Sequence, residues 1–140
     1  MNRFRQWAPR VFGRFFHDTA SLVELFSSLC LLGWSLFVGF NAEILSRDSY
    51  QSFGLLPAGA WVSLFALTGL AQVSAAVSDH ARHYDWRALV MAFAAGLWFV
   101  VSLSFVFGPV LTTAAIMYPA ITLICILSTL WLAWKSSPDI

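Results

Sequence analysis

An all-α polytopic membrane fold is what this sequence predicts: four transmembrane helices in an antiparallel bundle, preceded by a basic amphipathic segment. Residues 22–40, 57–78, 88–107 and 113–134 are apolar runs, each close to the roughly 20 residues a helix needs to cross a hydrocarbon core. Composition agrees. Of 140 residues, 59% are hydrophobic and only 11% charged, with a mean hydropathy of +0.74, far from the roughly one-quarter charged make-up of soluble domains. Because lipid leaves backbone amides and carbonyls no water to bond, runs of this length and polarity read as helices. The chain divides into an interfacial or cytoplasmic segment, residues 1–20, and a transmembrane domain, residues 21–140, with no room for a soluble catalytic domain.

In the first segment Phe4, Trp7, Val11, Phe12, Phe15 and Phe16 share one arc of a helical wheel, with Arg3, Arg10, Arg14 and His17 opposite. That pattern describes a helix lying in the membrane surface, its arginines on anionic headgroups and its rings at the acyl boundary. Arg5 falls near the apolar edge, and Pro9 fits only near a helix start or at a kink. A basic anchor that merely sets orientation also accounts for the arginines. The segment is not a signal peptide: its polar part is long, the apolar run is span-length, and Phe40-Asn41-Ala42 makes a poor cleavage site.

Ser21-Leu22-Val23-Glu24 has the spacing of a capping box, which predicts that the first span starts near Leu22. The span leaves at Gly39-Phe40-Asn41 into a polar connection, residues 43–54, and Trp61 marks re-entry at interfacial depth. A short loop of mixed charge, residues 79–87, turns the second span into the third. Gly108-Pro109 then breaks the third helix, Thr112 or Thr113 caps the fourth, and Pro119 predicts a mild kink in it. With the N-terminus in the cytoplasm, Arg3, Arg5, Arg10, Arg14, Arg82, Arg87 and Lys135 lie inside against Arg47 outside, so the positive-inside rule predicts both termini cytoplasmic.

Ala88, Ala92 and Gly96 recur every four residues in the third span, and Ala71, Ala75 and Ser78 near the end of the second. This is the small-xxx-small pattern of close helix approach, predicting contact of these two helices with each other or a homo-oligomer seam. Cys30 and Cys125, both mid-span and at similar depth, read as small buried thiols.

Glu24 is the only acid within a predicted span and Gln72 the only side-chain amide, and they share a leaflet. An ionisable group in a membrane is a functional candidate, although the capping box offers Glu24 a structural role. Gln72 is expected to hydrogen-bond between helices, contributing about 0.6–2 kcal/mol. His80 and His83 with Asp79 and Asp85 have the residue types of a metal site but no further ligand cluster except the distant His17, so they read as a solvated turn at headgroup level. There is no Gly-rich phosphate loop, nucleophile elbow or metal-binding helix pair. Neither an enzyme nor a cofactor is expected. The basic segment precedes a span too closely, with too few arginines, to suggest nucleic acid; a bilayer with anionic headgroups is the expected partner.

Several segments together carry a resemblance: His17-Asp18-Thr19-Ala20-Ser21-Leu22-Val23-Glu24-Leu25 entering a span with Gly33-Trp34, then Gly69-Leu70-Ala71-Gln72, Gly96-Leu97-Trp98 and Leu130-Trp131-Leu132-Ala133-Trp134. In these the chain resembles small four-span membrane proteins encoded by tailed bacteriophages and prophages. The resemblance implies a host inner-membrane location without a catalytic role, and brings no functional residues to transfer. Two functions compatible with it are holin-like permeabilisation and superinfection exclusion. The tail from Lys135 to Ile140 carries one charge of each sign, unlike the charged tail of many holins. Alternatives are a small proton- or ion-coupled transporter or channel centred on Glu24, and a membrane scaffold or assembly partner.

Overall fold

The computed structural model describes residues 19–77, 84–109 and 112–136. The amphipathic segment with Arg3, Arg5, Arg10 and Arg14, and the loop with His80, Arg82 and His83, lie outside the described residues. Among the described residues four long helices make up the bundle: α1 (Thr19–Phe40), α2 (Ala58–Val77), α3 (Tyr84–Val106) and α4 (Ala114–Ser136). Each is long and apolar enough to cross a membrane, and the chain is an integral membrane protein.

One repeat governs which residues face inward. The buried positions run Ser21, Glu24, Ser28, Leu31, Ser35, Val38 on α1, Trp61, Phe65, Thr68, Gln72, Ala75 on α2, and Ala88, Met91, Ala95, Trp98, Ser102 on α3. On α4 Thr122, Cys125 and Leu132 keep the same phase. Alternating steps of three and four residues are the heptad spacing of side chains interlocking across nearly parallel helix axes. The buried stripe of α1 is the polar one, with serine at every seventh position, whereas Phe26, Leu29, Leu36 and Phe40 point outward. That inversion suits a bilayer, where lipid covers apolar side chains and small polar ones allow backbones to approach.

The heptad also explains a departure from the sequence reading. Of Ala88, Ala92 and Gly96 only Ala88 is buried; Ala92 and Gly96 are exposed, and no atom of a neighbouring helix lies within 4 Å of where a Gly96 side chain would begin. A step of four every time rotates away from a seam that alternates three and four, so the stripe leaves the α2 contact after one turn. On α2, likewise, Ala75 is buried but Ala71 only half-buried, because Gln72 holds the seam position. The close approach falls instead at Gly69 on α2: a Cβ there would meet Leu32 Cγ at 2.9 Å and the Ser28 carbonyl oxygen at 3.1 Å. Gly69→Val is therefore expected to lose about 1–3 kcal/mol by forcing α1 and α2 apart. Gly59→Val, with nothing within 4 Å, should change stability by less than about 0.5 kcal/mol. Equal losses in detergent unfolding would refute the Gly69 contact.

Two hairpins compose the bundle. α1 pairs most extensively with α2 and α3 with α4, while α2–α3 and α1–α4 meet over fewer residues. Ser35 Oγ donates to the Val62 carbonyl at 2.9 Å and Gly69 abuts Ser28, which sets the antiparallel register of the first hairpin. In the second, Ser102 and Thr122 hydroxyls meet at 2.9 Å. α4 starts where the Thr112 and Thr113 carbonyls accept its first amide hydrogens, and it continues through Pro119.

The connection after α1, expected as a polar loop, is folded. Two 3-10 segments, Ala42–Ser46 and Asp48–Leu55, turn Phe53 inward until it is 1% exposed. Trp61 is correspondingly no interfacial anchor: it is buried, and its indole donates to the Phe53 carbonyl at 2.8 Å. Around Trp34 the rings of Tyr50, Phe53, Phe65, Phe105 and Tyr118 gather with centroids 5.8–6.4 Å away. Rings from all four helices and the connection thus plug that end of the bundle. Burial in the plug raises the Tyr50 phenol above its ordinary pKa, with Arg47 acting the other way.

Candidate functional site

At the opposite end, the seam positions carry charge. Glu24 is the sixth residue of α1 and Arg87 the fourth of α3, which puts them about 7.5 Å and 4.5 Å inside their helix starts. Arg87 Nε donates to both carboxylate oxygens of Glu24, at 3.0 and 3.2 Å, and Nη2 donates to Oε2 at 2.8 Å. The same Nη2 donates to Ser21 Oγ at 2.9 Å. The side chains are 2% exposed for Glu24 and 12% for Arg87. A planar guanidinium matched edge-on to a carboxylate is the geometry that holds a charge pair outside bulk water. The Tyr84 ring lies 5.8 Å from the guanidinium carbon, adding a cation–π contact.

The capping box is thus not what Ser21 and Glu24 form. The helix is already under way at Thr19, so Ser21 lies within it, and both side chains turn to Arg87. The pair ties α1 to α3, helices diagonal in the bundle, and so joins the two hairpins. A second diagonal tie follows deeper in: Trp98, fully buried, donates its indole hydrogen to Ser27 Oγ at 2.9 Å. Trp98 also stacks on Tyr118 of α4 at 5.8 Å and 15°.

Gln72 lies near the level of Glu24, because the Ser28–Gly69 and Ser35–Val62 pairings set Leu25 opposite Gln72. It is 1% exposed and reaches across to α3 as expected, its amide donating to Met91 Sδ at 3.2 Å. Thioether sulfur is a weak acceptor. The amide oxygen, Oε1, is buried and has no hydrogen-bond partner among the described residues. A buried acceptor left unsatisfied costs about 1–3 kcal/mol. Oε1 is where a water or another donor entering the cluster would gain a bond.

Chemically the cluster can bind and position; the carboxylate is engaged by the guanidinium on both oxygens. Among the described residues no three His, Cys, Asp or Glu side chains converge as metal ligands. Cys30 and Cys125 are free thiols, the second fully buried. The structure unites Glu24 with Ser21 and places Gln72 at the same level, while Ala92 and Gly96 lie apart on the outer surface. Sequence reading missed Arg87, which it spent on orientation as one more basic residue beside the membrane. The signal was present: a lone acid near one end of a span and an arginine in the first turn of another span at the same membrane face. Comparison of the chain with protein-family models, curated proteins and solved structures gives no match.

Proposed function

We propose that the protein is a non-enzymatic inner-membrane factor of the phage or prophage kind, acting on its host by contact within the bilayer, as in superinfection exclusion, and not by conduction. The observation that carries this reading is the filled interior. Leu31, Phe65, Met91, Trp98 and Val101 are all 0% exposed, the aromatic plug around Trp34 closes one end, and the Glu24–Arg87 pair ties the helices together at the other. A transporter built on Glu24 would need that carboxylate to exchange partners, and a holin would need surfaces that line water. The outer faces are instead dominated by Phe26, Leu36, Leu67, Phe93, Ile116 and Leu130. The exposed Ala92 and Gly96 offer a small-residue face for another helix, from a second copy or from a target protein. The basic segment with Arg3, Arg5, Arg10 and Arg14 would hold the N-terminus on the cytoplasmic leaflet, with both termini inside.

Inducible expression in a bacterial host, with membrane potential, release of a cytoplasmic enzyme and plating of challenge phages followed together, tests this. The expected outcome is an intact potential, no enzyme release and reduced plating of some phages. Abrupt depolarisation with enzyme release would replace contact by permeabilisation. An intact potential with undiminished plating of every phage would remove exclusion and leave the scaffold reading.

A further inference from the structure

We infer that the seam between α1 and α4 is a binding groove for one anionic phospholipid, its headgroup at Lys135 and an acyl chain lying along the seam toward the bilayer centre. α1 and α4 meet over fewer residues than the helices within either hairpin, and two cavities lie in line along their seam. The first, of about 420 Å³, is bounded by Thr19, Val23, Leu127, Ser128, Trp131 and Lys135. The second, of about 380 Å³, lies between Cys30, Trp34, Tyr118 and Ile121 and reaches Trp98 of α3. The two lie at successive levels of the helices: Thr19 and Lys135 line the first, Cys30 and Ile121 the second. From Thr19 to Cys30 the rise is about 16 Å. That is close to half of a hydrocarbon core of about 30 Å, the reach of a chain belonging to one leaflet.

The mouth has the chemistry of an anionic headgroup. Lys135 is exposed, and its ammonium is held over two rings, 5.0 Å from the Trp131 centroid and 5.7 Å from that of Tyr84. Lysine in that position presents a point charge to a phosphate while its stem lies along apolar surface. Beyond the mouth the walls turn apolar, with Val23 on one side and Ile124 and Leu127 on the other. A cation at headgroup level above an apolar slot one leaflet deep fits a glycerophospholipid. Its cavities are of ligand size, within the roughly 300–1,000 Å³ of small-molecule pockets. This site is separate from the contact role proposed above and does not depend on it.

The test uses the full chain purified in detergent and mixed with equal amounts of dioleoylphosphatidylglycerol and dioleoylphosphatidylcholine, with retained lipid counted by native mass spectrometry. Wild type should retain the glycerol lipid about fivefold over the choline lipid, and Lys135→Gln should bring the ratio near parity. Ser128→Phe, which fills the slot while leaving Lys135, should lower retention of both lipids severalfold. Lys135→Gln alters an exposed position, so its result stands even if the bulkier variant unfolds. Unchanged ratios in Lys135→Gln would overturn the headgroup assignment. Undiminished retention in folded Ser128→Phe would reduce the site to surface charge, overturning the groove. Crosslinks between copies through cysteines placed at Val23 and Leu127 would give the seam to a second chain instead.

Discussion

Glu24→Gln is expected to lose about 3–5 kcal/mol of stability in detergent unfolding, as when one member of a buried ion pair is removed. Glutamine is nearly the same size and keeps a hydrogen-bonding oxygen, so packing barely changes. What changes is that the Arg87 guanidinium, 12% exposed, keeps its charge and loses the countercharge 2.8 Å away. The substitution separates two roles for the residue cleanly. Glutamine completes a capping box as well as glutamate does. A cap would therefore show a change within about 0.5 kcal/mol, and that result would sink the ion-pair account. The companion measurement is Glu24→Met combined with Arg87→Met, in which both charges of the pair are removed together. Replacing both partners by apolar side chains is commonly neutral or stabilising in soluble proteins, so the double variant should regain most of the loss. Failure to regain it would mean that the pair acts through further partners.

Trp98→Ala should cost about 3 kcal/mol, the lower end of the range for emptying an aromatic site. The lower end applies because lipid tails are as apolar as the protein interior, so the transfer of the ring out of water contributes little. What remains is the cavity and the lost dispersion contacts with Tyr118, together with the Ser27 hydroxyl deprived of its indole donor. Trp86→Ala is the matching control: at 52% exposure it faces the surroundings and should shift stability by less than about 0.5 kcal/mol. Similar losses in both would mean that Trp98 is not a core position.

The four spans were legible because length and hydropathy are properties of a run, insensitive to neighbours. Their ends agree to within a few residues: 57–78 against Ala58–Val77, and 113–134 against Ala114–Ser136. Which face turns inward was harder. In a bilayer the inward stripe is marked by small and polar side chains, and the informative repeat was Ser21, Ser28, Ser35. A search for small residues every four positions found Ala88, Ala92 and Gly96 and aimed the face one step off the seam. The ion pair was half legible, since Glu24 stood out while its partner lay 63 residues away on a helix whose rotation the sequence did not fix. The folded connection was hidden for a similar reason. Tyr50 and Phe53 sit among Arg47, Asp48 and Gln51, and only the three-dimensional position of Trp34 and Trp61 gives their rings somewhere to go.

The separation of Glu24 from Arg87 also sets an order of events during synthesis. A ribosome adding about 5–20 residues per second makes Arg87 roughly 3–13 s after Glu24. In that interval α1 and α2 can already pair through Gly69, but the carboxylate has been delivered to the edge of the membrane ahead of its guanidinium. Until α3 is made, the first hairpin lacks the contacts that tie it to the rest of the bundle. The arrival of α3, which carries both Arg87 and Trp98, supplies the partners of Glu24 and Ser27, so the diagonal ties that join the two hairpins depend on the second half of the chain.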